Sequence, residues 1–127
     1  MGHQFAKHYT REEARALLPQ LREWLAQLEA LHASLRKHDR RVETMLDAGT
    51  DRGGQTVNDW VRTMADIQRV LEEFRARAII LEDLDRGRLN FPAIVGGREV
   101  FLSWQKDEPD VEYWRDLDAG NAGRKPF

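Results

Sequence analysis

Apolar residues return every seven positions from Ala14, at Leu21, Leu28, Leu35 and Val42. A companion set, Leu17, Trp24, Leu31 and Met45, sits three positions further on; His38 breaks it, and Leu18, Leu25 and Leu46 widen the stripe. Held over successive heptads, this pattern predicts one long amphipathic helix. Thr10 is its expected N-cap, with Glu13 reaching back to complete a capping box and Glu12 and Glu13 opposing the helix dipole. Pro19, two turns in, removes one backbone hydrogen bond and predicts a bend or a short first segment. Residues 47–55 read as a loop, after which Thr56 is the expected cap of a second helix, with Asp59 three residues on. The second stripe is Val57, Trp60, Val61, Met64, Ile67, Leu71, Phe74 and Ala78. A short connection between long helices makes them antiparallel. The shorter second stripe predicts that the first helix overhangs, or bends over, whatever follows.

After Arg77 the period changes. Ile79-Ile80-Leu81 is apolar and β-branched, Asp83 to Gly87 is turn-like, and Arg88 to Ile94 reads as a strand with Leu89 and Phe91 on one side. Pro92 belongs at an edge or near a strand end. Val95-Gly96-Gly97-Arg98 is a hairpin turn, and Glu99 to Trp104 is the returning strand. The expected architecture is α+β: a long antiparallel helical hairpin (about 10–78) with a small three-stranded antiparallel sheet and an aromatic C-terminal tail (about 79–127), in a single domain spanning 1–127. The tail is expected to fold back against the sheet.

Composition narrows the partners. A formal net charge of -2 argues against general nucleic-acid binding, which needs a concentrated basic face. No cysteine is present, so disulfides and thiolate metal sites are excluded, and a reducing cytoplasm is the expected compartment. No apolar run reaches the ~20 residues needed to cross a bilayer, and Met1 to His8 has no apolar stretch of the kind a secretory signal carries. No membrane partner and no cofactor are expected.

The chemistry-bearing residues concentrate in the tail. Asp107, Glu108, Asp110, Glu112, Asp116 and Asp118 are crowded, yet match no calcium-loop pattern and read first as a solvated loop paired with Lys106, Arg115, Arg124 and Lys125. Glu108 is the best single exception. It follows a strand ending in Trp104 and precedes Pro109, and a carboxylate half-buried beside tryptophan suits general acid or base work, as well as an ordinary pair with arginine. Asp118 to Arg124 contains two glycines before an arginine. It reads as a tight turn tied down by Arg124, or as an anion cradle with Arg124 as its clamp. His3, His8, His32 and His38 show no metal-binding pair at four-residue spacing, so no metal site is expected. Arg36, Lys37, Arg40 and Arg41, with Arg52, make a basic cluster diluted by Asp39, Glu43, Asp47 and Asp51.

Several strings carry a resemblance: Tyr-Thr-x-x-Glu-Ala-x-x-Leu-Leu-Pro at 9–19, Asp-Leu-Asp-Arg-Gly-Arg-Leu-Asn-Phe-Pro-Ala at 83–93, Gly-Arg-x-Val-Phe-Leu-x-Trp at 97–104, Tyr113-Trp114, and Ala-Gly-Asn-Ala-Gly-Arg-Lys-Pro-Phe at 119–127. The chain resembles the bacterial family known as domain of unknown function 2203. The resemblance implies a shared fold and no mechanism. Relatives commonly carry Cys-Trp in the last strand, then Gly-Glu, then Trp-His, and that Cys, Glu and His look like a ligand or catalytic set. The corresponding positions here are Ser103, Glu108 and Arg115, with Asp107 in place of the Gly.

Two functional expectations follow. The first is a non-enzymatic interaction or scaffold module, dimerising through the hairpin, because Leu18, Leu25, Trp24, Trp60 and Val61 broaden the stripes beyond a two-helix seam. Its partners would be a second copy and, through it, another protein. The alternative is a ligand-binding or enzymatic site in the tail for a small anion. There Glu108 is the acid/base or polar anchor, Arg124 the anion clamp, and Trp104 and Trp114 the walls.

Overall fold

Thr10 ends an extended N-terminal segment and starts α1 (Arg11–Asp47) in a reciprocal cap. The Glu13 amide donates to Thr10 Oγ1 and the Thr10 amide to the Glu13 carboxylate, both at 3.0 Å. The computed structural model describes residues 3–47 and 54–127. Most of the expected interhelical loop, with Asp51 and Arg52, lies outside the described residues, as do the side chains of Val42, Met45, Leu46 and Asp47. Pro19 creates no separate first segment: α1 runs through it unbroken.

The second helix, α2 (Gly54–Ala76), begins two residues before the expected cap at Thr56, and Asp59 accepts instead from the Gln55 side-chain amide at 2.9 Å. The helices are antiparallel: Trp24 packs on Phe74 (5.6 Å between ring centroids) near one end, and Trp60 Nε1 donates to Asp39 Oδ1 (2.7 Å) near the other. The buried stripe of α1 is Ala14, Leu18, Leu21, Leu25 and Leu28, so the residues expected only to widen it lie deeper than Leu17, Trp24 and Leu31. A helix packed on both a helix and a sheet must bury a broader face than a two-helix seam requires. On α2 the seam turns the same way. Thr63, Ile67, Val70 and Phe74 are buried, while Val57, Val61 and Met64 of the expected stripe stay 39%, 53% and 41% exposed.

α2 stops in a paired C-terminal cap. The Ala78 amide donates to the Arg75 carbonyl and the Ile79 amide to the Phe74 carbonyl, both at 3.0 Å, with Ala78 left-handed (φ 58°). Ala78 therefore closes the helix instead of extending its stripe. Ile79, the residue after it, drops into the core with Phe74.

Five antiparallel strands follow in chain order: β1 (Ile80–Asp83), β2 (Arg88–Val95), β3 (Arg98–Gln105), β4 (Tyr113–Asp116) and β5 (Lys125–Pro126). The expected three-stranded sheet is thus corrected to five. The tail supplies the last two strands, too short to show a period of two. Gly96 and Gly97, at φ 59° and 79°, make the two-residue hairpin between β2 and β3, a turn that needs left-handed backbone at both positions. Pro92 lies beyond the reach of β1, and its carbonyl accepts the Tyr9 amide (2.7 Å) on that open side. Its missing N–H faces the same way, so no ladder bond is lost. Leu89, Phe91 and Ala93, opposite Trp104, Leu102 and Val100, form the apolar inner face that shares one core with both helices. No helix among the described residues is long and apolar enough to cross a membrane.

Candidate functional site on the outer face of the sheet

Strand alternation turns the intervening residues away from the helices: Arg88 and Asn90 on β2, Phe101, Ser103 and Gln105 on β3, Tyr113 and Arg115 on β4. A polar sheet face without helices over it is ordinarily wet. Here it is not. Arg88 and Arg115 are each 7% exposed, Asn90 1% and Ser103 0%. The covering comes from the two ends of the chain. Phe5 packs on Phe101 (5.4 Å between centroids), Ala119 caps the Arg115 guanidinium with its carbonyl, and Arg124 lies over Ser103.

Under this cover the polar groups form a network that is not complete. Glu82 Oε2 accepts from Asn90 Nδ2 at 2.8 Å and from Arg115 Nη2 at 3.4 Å. Arg88 Nε donates to Gln105 Oε1 at 3.1 Å. Three buried atoms of this face find no partner among the described residues: Arg88 Nη2, Asn90 Oδ1 and Arg115 Nε. Of the three arginines on this face, Arg115 has Glu82 within ion-pair distance and Arg124 has Glu108, and Arg88 has no such carboxylate among the described residues. A buried unpaired ion costs several kcal/mol, and each unmade buried hydrogen bond roughly 1–3 kcal/mol.

Two of the four site residues expected from sequence meet at the border of this face. Arg124 Nη2 lies 2.6 Å from Glu108 Oε1, Arg124 Nε donates to Ser103 Oγ at 2.9 Å, and its guanidinium stacks 4.3 Å from the Tyr113 ring centroid. The same Glu108 oxygen accepts the Gln105 amide at 2.8 Å, which holds the turn after β3. Trp104 points the other way, fully buried in the inner core, with its indole N–H donating to the Glu108 carbonyl at 3.0 Å. Arg22 from α1 reaches the same carbonyl and lies over the Trp104 ring. Trp114 pairs with Leu102 on the inner side, under Lys125. The four residues therefore do not line one wall. The glycines near Arg124 form a tight turn, Gly123 donating to the Gly120 carbonyl at 2.9 Å. Of the set singled out by the resemblance, Ser103 and Glu108 are joined through Arg124, and Arg115 sits on the same face two positions along the register.

A second cluster sits further along this face, where Glu99 meets the N-terminal segment. Its carboxylate accepts from His8 Nε2 (2.6 Å), the Gln4 amide (2.7 Å) and the Phe5 amide (3.0 Å). Burial alone pushes Glu99 upward, but the His8 bond and the two amides outweigh it and lower the carboxyl to about 2. His3 packs edge-on against His8, which brings one donor atom each of His3, His8 and Glu99 within 4.8 Å of one another. Helical spacing does not report on this grouping, because its third member lies in β3. Arg88, Asn90 and Glu82 were also missed. Their alternation with Leu89, Phe91 and Leu81 was visible, yet alternation marks a face as polar without saying whether anything covers it.

The model of an uncharacterized conserved protein family (DUF2203) matches residues 7–127, and the chain belongs to that family. No curated protein and no solved structure matches the chain.

Proposed function

We propose that this family member is a small-anion-binding module whose site is the covered outer face of the sheet. The observation that carries the reading is the buried Arg88 Nη2, which has no partner among the described residues, with Arg115 Nε and Asn90 Oδ1 in the same state on the same face. A compact carboxylate or phosphate would satisfy the two arginines, and a hydroxyl or amine on the same ligand would donate to Asn90 Oδ1. In this reading the Glu108–Arg124 pair fastens the tail over the ligand, and Trp104 holds the turn from beneath. The test is isothermal calorimetry with inorganic phosphate and a series of small hydroxy- and amino-carboxylates. Binding that is lost in both Arg88→Met and Arg115→Met supports the reading. Binding by none of them, or binding indifferent to both substitutions, overturns it.

A second reading, a dimerising scaffold, is favoured by one observation: Val57, Val61 and Met64 recur at helical spacing along one exposed side of α2. Its occupant would be the same stripe of a second copy. Light scattering at micromolar concentration should then give twice the chain mass, falling to one chain in Val61→Glu. A monomer in the unsubstituted protein removes this reading and leaves the first untouched.

A further inference from the structure

We propose that His3, His8 and Glu99 form a binding site for a divalent transition metal of the zinc type. One donor atom from each lies within 4.8 Å of the other two. Tetrahedral zinc, with bonds of about 2.0–2.1 Å, sets its donors roughly 3.3 Å apart. His8 Nε2 and Glu99 Oε2 are 2.6 Å apart in a hydrogen bond, so ligation displaces the proton between them and separates the two atoms to about the zinc spacing. Two imidazoles and one carboxylate match zinc and its neighbours better than magnesium or calcium, which prefer all-oxygen shells. Three protein donors leave a fourth position for water or an exogenous ligand.

The local chain is arranged for this purpose in a way a simple ion pair does not need. The Gln4 and Phe5 amides both point at the Glu99 carboxylate, which fixes its orientation and draws the segment between the two histidines across β3. Phe5, seated on Phe101, anchors that segment. His3 is thereby brought edge-on to His8, with ring centroids 5.1 Å apart. The carboxylate side chain is 9% exposed and His8 22%, so a bound ion would be shielded on its sheet side and open through His3. Orienting bonds to a ligating carboxylate of this kind support metal affinity.

The site lies further along the face of the proposed anion site and shares its Phe5–Phe101 contact, but its donors are different residues and it does not rest on that reading. The experiment uses the full, untagged chain after chelator treatment. Zn2+ is titrated by calorimetry, and Co2+ is added separately to report ligand geometry through its visible absorption. The expected result is one equivalent of Zn2+, with affinity falling roughly 100-fold in each of His3→Ala, His8→Ala and Glu99→Gln, and a tetrahedral or five-coordinate Co2+ spectrum lost in the same variants. His3 is exposed, so His3→Ala retains the fold and keeps the test sound if Glu99→Gln loosens the segment. No saturable Zn2+ binding, or binding unchanged by His8→Ala and Glu99→Gln, overturns the proposal.

Discussion

The inner face of the β-sheet and the polar centre of its outer face are both deeply buried, by different means. On the inner face, Leu89, Phe91, Leu102 and Trp104 pack against α1 and α2, and the one polar atom of the group, the Trp104 indole N–H, has its acceptor. On the outer face, Arg88, Asn90, Ser103 and Arg115 are also buried, yet three of their polar atoms have no partner among the described residues. Apolar burial stabilises at about 25 cal/mol per Å2 whatever surrounds it. Polar burial stabilises only when every group is matched. The inner face therefore contributes stability, and the outer face gives some up. A protein that keeps such a face at a cost is expected to use it.

Substitutions on the two faces should separate these roles. Trp104→Ala removes the largest fully buried inner side chain and its indole bond, and should cost about 4 kcal/mol in urea unfolding; a loss under about 1 kcal/mol would mean the inner face is not the main core. Glu108→Ala strips Arg124 of its carboxylate at the border of the outer face and should cost about 3 kcal/mol, since it leaves a largely buried cation behind. Arg88→Met should act in the opposite sense. In ligand-free protein it should raise stability by roughly 1–2 kcal/mol, because an apolar side chain of similar length removes an unpaired buried charge. Destabilisation by this change would show that Arg88 is already neutralised. The smallest effect belongs to neither face and serves as a control. Ala78→Gly relieves the left-handed alanine at the end of α2 and should stabilise by about 1 kcal/mol, read as a shift in urea midpoint with unchanged slope.

Much of the inner face was legible in the chain. The Thr10–Glu13 cap, the heptad stripe of α1, the alternation of Leu89 and Phe91 and the Gly96-Gly97 turn are local signals, and each acts locally in the fold. The phase of the helical stripes was not. Leu18 and Leu25 are driven inward by the third layer, and Val57, Val61 and Met64 are left outside. The strands of the tail escaped because four residues and two residues carry no readable period. Glu108 and Arg124 were found through their chemistry. Arg88 and Asn90 were not, because strand alternation marks them as outward-facing and carries no sign that they are buried there. Trp104 and Trp114 drew attention as aromatic walls, and strand parity places both on the inner side.

The central claim, that the outer face holds an anion at Arg88, is most directly tested by a high-resolution crystal structure of the protein grown or soaked with a small carboxylate or phosphate that binds in solution. The account predicts density for that anion within hydrogen-bonding distance of Arg88 Nη2 and Arg115 Nε, absent from Arg88→Met crystals. Ordered water alone bridging Arg88 Nη2, Arg115 Nε and Asn90 Oδ1, with the anion elsewhere, would contradict it.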